Sequence, residues 1–358
     1  MTFRRGWIPA IVAPVAVVAA VVAVPAIADA ASPPPAKTAA QVLTLIAGSH
    51  DAHYSGTVVQ SSDLGLPQLP ASMSSRAPSS SGFDAASLIE LVTGSHTAQV
   101  YVDGRSQQRV QLLDTLGERD LIHNGTSVWT YDARAHTATH VTASGDATAR
   151  ETPQPTTPAT VADRLIASIT PTTKVSVSTG SFLGHGVYTL TLEPKTSATL
   201  VRSAVITVDA ATGVPLSAQL DARGQSTPAV SVAFDKVDFS RPGADVFAFT
   251  PPQGTAVRDM TAPSHETKGT HTEKQPGGQK PTVIGSGWTS IVEVAGGTGL
   301  TSGMSGLTGS NAQLLNELTR HVDGGRMLQT SLFTVFLRDD GTVLAGAVPA
   351  ATLLAAAR

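Results

Sequence analysis

The sequence predicts an α+β protein of mainly antiparallel β structure, built as one large sheet of about eleven strands with a few helices on its concave face. Three observations carry this. The stretch Ala98–Val141 breaks into five short strands, Ala98–Val102, Gln107–Asp114, Glu118–His123, Ser127–Asp132 and Thr137–Val141. Asp103-Gly104, Leu116-Gly117, Asn124-Gly125 and Ala133–His136 separate them, and Asp-Gly and Asn-Gly pairs supply the positive φ that tight hairpins need. Polarity alternates with a period of two, so that Val110 and Leu112 oppose Gln111, and Val128 and Thr130 oppose Trp129 and Tyr131. Helical spacing, in contrast, is confined to three short places in this part of the chain.

Composition narrows the function classes. The 358 residues exceed one small domain and suit a sheet domain with an appendage. Apolar residues make up 41%, enough for a real core, while aromatic residues are 4% and charged residues 14%. The net charge of −3 includes Arg4 and Arg5 in a segment expected to lie outside the folded domain, so the folded part is mildly acidic and no nucleic-acid partner is expected. Cysteine is absent, which excludes disulfides, thiolate metal sites and a lipid-modified N-terminal cysteine. Arg4 and Arg5 precede an apolar run from Trp7 to Ala28. Residues 1–30 are therefore read as a signal peptide or an N-terminal membrane anchor, and the chain as extracytoplasmic, secreted or held at the cytoplasmic membrane by that segment.

The remaining elements follow in order. Thr38 and Gln41 form a capping box before Val42, Leu43, Leu45 and Ile46, and Gly48 ends this helix. Tyr54–Ser61 is a strand, 62–82 a long loop, and Phe83–Val92 a helix placed between two strands, the natural lid. Beyond the meander come a helix from Pro158 to Ile169 and strands at Val175–Gly180, His185–Glu193, Ser203–Asp209, Pro215–Ala222 and Ala229–Ser240. Residues 258–282 are polar and rich in Gly and Pro, hence a flexible linker. In the smaller unit 283–358 the pattern predicts a strand Val283–Val294 around Trp288, a helix Ala312–His321, a hairpin of Arg326–Arg338 and Thr342–Ala347, and a closing helix Ala350–Arg358.

YSGTVVQ, with Tyr54, Gly56 and Thr57, followed by Arg109, Leu113-Asp114 and Glu118, resembles the N-terminal domain of the RseB (MucB) family of periplasmic sigma-E regulators. Val208–Leu216 (VDAATGVPL) and Phe247–Val257 (FAFTPPQGTAV) resemble signatures of the wider LolA-type lipoprotein-carrier group, and TVLAGAVPAATLLAAA is similar to the end of RseB. The resemblance covers roughly 41–257 and implies an unclosed half β-barrel of about eleven strands over residues 31–257, with a helical lid, whose apolar hollow receives acyl chains. A small RseB-like C-terminal α+β domain over 283–358 completes the expectation. Candidate groove residues are Val58, Val100, Leu112, Trp129, Tyr131, Tyr188, Leu190 and Val232 from strands, with Leu88, Leu91 and Leu165 from helices.

Chemical signals are weaker. His50 and His53 flank Asp51 without a third ligand nearby, and His136 and His140 lie in turn and strand, where a spacing of four does not pair them as on a helix. Gly297-Thr298-Gly299 with Gly303 is no dinucleotide fingerprint, and Ser305 lacks the second glycine of a nucleophile elbow. With no acid/base pair or nucleophile standing out, the chain reads as a binding protein and not an enzyme, without cofactor or metal. Two functions share the groove: a carrier-type lipid or lipoprotein binder of the cell envelope, and an envelope-stress regulator that binds an anti-sigma factor or other membrane protein.

Overall fold

Twelve strands form one open sheet in the order β12-β6-β5-β4-β3-β2-β1-β11-β10-β9-β8-β7. The computed structural model describes residues 33–66, 95–114, 117–142, 157–261, 281–295 and 318–358, all within the unit Ala31–Arg358. The first half is the meander: β1 (His53–Ser62), β2 (His96–Asp103), β3 (Gln107–Asp114), β4 (Gly117–Asn124), β5 (Ser127–Asp132) and β6 (Thr137–Thr142). Gly104 and Gly125 take φ of 69° and 63° in the expected Asp-Gly and Asn-Gly turns. The second half comprises β7 (Thr173–Phe182), β8 (His185–Pro194), β9 (Val201–Asp209), β10 (Pro215–Ala222) and β11 (Val230–Asp238), and β11 returns to pair with β1. The eleven strands expected from the sequence are all present and antiparallel. The twelfth, β12 (Ala256–Thr261), runs parallel to β6, so residues 258–261 are strand where the linker was expected to begin.

Among the described residues two helices lie on one face of this sheet, the inner face. α1 (Ala39–Gly48) starts at the Thr38–Gln41 capping box. α2 (Pro158–Ala167) starts at a second box, Thr157 with Thr160, and Pro158 sits at the first turn, where its missing N–H costs nothing. Their apolar sides, Val42 and Ile46 of α1 and Ala162 and Leu165 of α2, pack on Tyr188, Leu190, Leu192, Ala204, Ile206, Val208 and Ala218 of β8–β10. A second cluster joins the two halves of the sheet through Tyr54, Val58, Val100, Leu216, Val232 and Phe234. The VDAATG stretch is a turn fastened by its own acid: Asp209 Oδ1 accepts from the amides of Ala211 and Thr212 and from the Thr212 hydroxyl.

The C-terminal part is a six-stranded sheet in the order β13-β14-β18-β17-β16-β15. Its strands are β13 (Thr282–Ile284), β14 (Ile291–Val294), β15 (Arg320–Val322), β16 (Gly325–Gln329), β17 (Thr334–Arg338) and β18 (Val343–Gly346). α3 (Ala350–Ala356) covers one face, where Leu353 and Val348 meet Ile291, Met327, Phe336 and Leu344. Three details differ from the sequence pattern. Val283–Val294 is two strands, because a 3-10 turn at Gly287–Thr289 redirects the chain. Arg326–Arg338 is also two strands, since the Thr330 hydroxyl accepts from the amides of Leu332 and Phe333 and bends the backbone. Arg320 and His321 belong to β15, paired with β16 over Asp323-Gly324; residues 312–317 of the expected helix lie outside the described residues.

The two sheets are in direct contact. Leu64, Val201, Ala222 and Ala229 of the first bury Leu332 of the second, Leu200 N donates to Ala347 O (2.8 Å), and Ser331 N donates to Leu64 O (3.0 Å). Trp288 Nε1 donates to Thr173 Oγ1 (2.9 Å). Among the described residues no helix is long and apolar enough to cross a membrane.

Candidate functional site

Strand register decides which candidate residues share a face. Gly56 pairs with Val100, Val100 with Val110 and Ala98 with Leu112, so Tyr54, Val58, Val100, Val102, Val110 and Leu112 all lie on the inner face. The neighbouring positions Arg109 and Gln111, Asp120 and Ile122, and Trp129 and Tyr131 lie on the outer face. The structure thus separates Trp129 and Tyr131 from the other candidates. The Phe249 ring packs on both of them at 5.4 Å, and Phe247 beside it is buried. Tyr188, Leu190 and Leu165 are buried beneath and within the two helices, where they form closed core. Val58 and Val232 are core as well, and Leu88 and Leu91 lie outside the described residues.

A cavity of about 140 Å³ remains on the inner face, at the seam between the helix-covered half of the sheet and the meander. Its apolar wall is Ile46 from the end of α1, Val100, Val102 and Val110 from β2 and β3, and Val214. The polar lining comprises Tyr54, Gln108, Ser49 and His50, with Thr157, Thr160 and Asp163 from the first half of α2. Of the described candidate residues Val100 alone lines it. Val102 and Val110 were open to the same period-two argument, whereas Tyr54 and Asp163 meet only through tertiary packing. Tyr54 is 6% exposed and packs edge-on against Phe234 at 5.9 Å. Burial, with the nearby Asp163 carboxylate as the smaller cause, pushes its phenol pKa well above the ordinary value.

Two polar clusters occupy the outer face. Arg109, singled out by the sequence resemblance, places Nη2 at 2.6 Å from Asp120 Oδ2 and 4.0 Å from Glu118 Oε1, and Nη1 donates to Val246 O (3.1 Å). Burial pushes the Asp120 carboxyl up to about 6, against the lowering influence of Arg109. Asn124 Nδ2 also donates to Phe247 O, so these side chains fasten the FAFTPP segment over the meander. The second cluster is Ser127, His140 and Asp259. His140 Nε2 lies 2.8 Å from Ser127 Oγ and Nδ1 lies 3.1 Å from Asp259 Oδ1, and the Trp129 indole stacks on the imidazole at 4.2 Å and 10°. The order is that of a hydrolytic triad, but its acid is largely exposed and the cavity lies on the other face of the sheet. Its consequence is structural, a clasp that holds β12 on β6. Among the described residues no group of three or more His, Asp or Glu side chains is arranged to hold a metal ion.

Neither a protein-family model nor a curated protein matches the sequence. Solved structures do match in fold. The MucA/MucB complex of Pseudomonas aeruginosa provides a chain 13% identical, over 88% of this chain and 95% of that one, with a TM-score of 0.44. The chain is similar in fold to MucB and to the LolA superfamily. A LolA-superfamily protein of Nitrosomonas europaea is 10% identical over 60% of this chain and 99% of its own, with a TM-score of 0.25. An uncharacterized conserved protein of Thermus thermophilus is 11% identical over 63% and 100%, with a TM-score of 0.36.

Proposed function

We propose that the chain is an extracytoplasmic lipid- or lipoprotein-binding protein that takes an acyl chain on the inner face of its large sheet. The observation that supports this is the cavity at the seam, whose aliphatic wall of Val100, Val102 and Val110 continues along the same face to Leu112 and Leu121. Each methylene removed from water there contributes about 0.8 kcal/mol, so six of them supply about 5 kcal/mol without any specific polar contact. The test is native mass spectrometry of the full chain purified from an exporting bacterium, followed by lipid extraction. A stoichiometric lipid is expected. Val110→Trp fills the cavity from a half-buried strand position and is expected to lower acyl-ligand affinity more than about tenfold with the fold retained. Unchanged affinity in the folded variant would move the site elsewhere.

A second reading is favoured by one further observation. The C-terminal sheet is seated on the first through Leu332, Leu64 and the bonds to Ala347, so it is built into the same unit and not left as a free appendage. That arrangement suits a regulator in which the first sheet takes the acyl group and the second grips the extracytoplasmic part of an anti-sigma factor. Its measure is the affinity for such a segment with and without acyl ligand. A change in affinity would support the regulator, and equal affinities would leave the carrier.

A further inference from the structure

We infer that the cavity at the seam is a headgroup subsite for a neutral, hydroxylated lipid head of glycerol size, an inference that rests on the acyl-binding reading above. Three of the polar side chains around it are already committed. Thr157 and Thr160 cap α2, and Ser49 Oγ donates to Ile46 O at the end of α1. The others, Tyr54, Gln108, His50 and Asp163, make no side-chain hydrogen bond among the described residues. Tyr54 matters most, because the residue is 6% exposed and lines the cavity, and its hydroxyl has no hydrogen-bond partner among the described residues. A ligand atom placed in the cavity can pair with that hydroxyl as donor or acceptor.

The chemistry of that atom is constrained. Among the described residues no Lys or Arg lines the cavity, and Asp163 contributes a carboxylate, so a phosphate or carboxylate end is disfavoured there. An ammonium group offers donors alone and leaves the donors of Tyr54 and Gln108 unanswered. A hydroxyl both donates, here to Asp163, and accepts, here from Tyr54 Oη or Gln108 Nε2. Size agrees: a cavity of about 150 Å³ accommodates a six-carbon ring, close to the roughly 140 Å³ found here and to the six heavy atoms of glycerol. The acyl chain attached to such a head leaves along Val110 towards Leu112 and Leu121.

The experiment compares monopalmitoylglycerol, palmitoyl lysophosphatidic acid and the headless apolar fluorophore N-phenyl-1-naphthylamine on the full chain by calorimetry and fluorescence. Monopalmitoylglycerol is expected to bind at least about tenfold tighter than its phosphate-bearing counterpart. Tyr54→Phe, which keeps the ring against Phe234, is expected to remove about tenfold of that affinity and leave the fluorophore unchanged. Equal or tighter binding of the lysophosphatidate, or no effect of Tyr54→Phe, would overturn the headgroup subsite while leaving acyl binding standing. Failure of all three probes to bind would overturn both.

Discussion

Arg109→Met destabilises the fold by about 3–5 kcal/mol near pH 8, the cost of leaving a buried carboxylate without its partner. The Asp120 side chain is 1% exposed, and its strongest contact is the 2.6 Å bond to Arg109. Burial already holds Asp120 at about 6, above its ordinary 3.8, while the guanidinium pulls the other way. Removing the guanidinium leaves burial and the neighbouring Glu118, which both raise the pKa, and drives it further up. A carboxyl whose folded pKa is raised favours the folded state fully below its unfolded value and loses that contribution as pH climbs through the folded one. In the native chain the loss falls between 3.8 and about 6. In Arg109→Met the carboxyl is protonated over a wider range, so the destabilisation is smaller near pH 5 than near pH 8. Urea unfolding at the two pH values measures the difference, and Asp120→Asn is expected to flatten the pH dependence. An equal loss at both would assign the effect to the bond with Val246 O and to packing of the Arg109 stem.

How much of this was legible in the sequence depends on whether the information is local. The meander is local: Val110, Gln111 and Leu112 alternate, Asp103-Gly104 and Asn124-Gly125 turn the chain, and the strands fall where the pattern places them. The capping boxes at Thr38 and Thr157 are local for the same reason. Which face is inner is not local. A period of two sorts Trp129 and Tyr131 from Val128 and Thr130, but Phe247 and Phe249, more than a hundred residues away, cover the aromatic side from outside. β12 carries no local signal, because its partner β6 is equally distant in the chain and the pairing is parallel. In the C-terminal sheet the leucines at 314, 315 and 318 suggested a helix through His321, yet Asp323-Gly324 was a hairpin signal of the same kind as those in the meander. The cavity is the least legible feature, since α1, α2 and the four strands β1, β2, β3 and β10 meet at it. Val100 was reachable by pattern, whereas Tyr54 and Asp163 required the fold.

Gly56→Ala is expected to cost about 3 kcal/mol, near the upper end for forcing an extra methyl into a packed site. Gly56 lies in β1, at the pairing that joins the two halves of the large sheet, next to the register shift between Thr57 and Val58. A Cβ there would overlap the carbonyl oxygen of Lys236 and stand 2.9 Å from Cδ1 of Phe234. Neither neighbour yields easily, because the oxygen belongs to the backbone of β11 and the ring is buried against Tyr54. Relief requires β1 and β11 to part, which displaces Tyr54 and loosens the seam that the cavity occupies. The loss of stability is therefore expected to come with a loss of monopalmitoylglycerol affinity. Gly180→Ala is the matched control: it sits in β7, and an added Cβ meets nothing within 4 Å. Its effect on unfolding is expected to stay within about 0.5 kcal/mol. If both substitutions prove equally mild in urea unfolding, the glycine of YSGT is not required by close packing. If they differ as expected, the motif that suggests acyl binding acts through the geometry of one strand pair, with Tyr54 as its only chemical member.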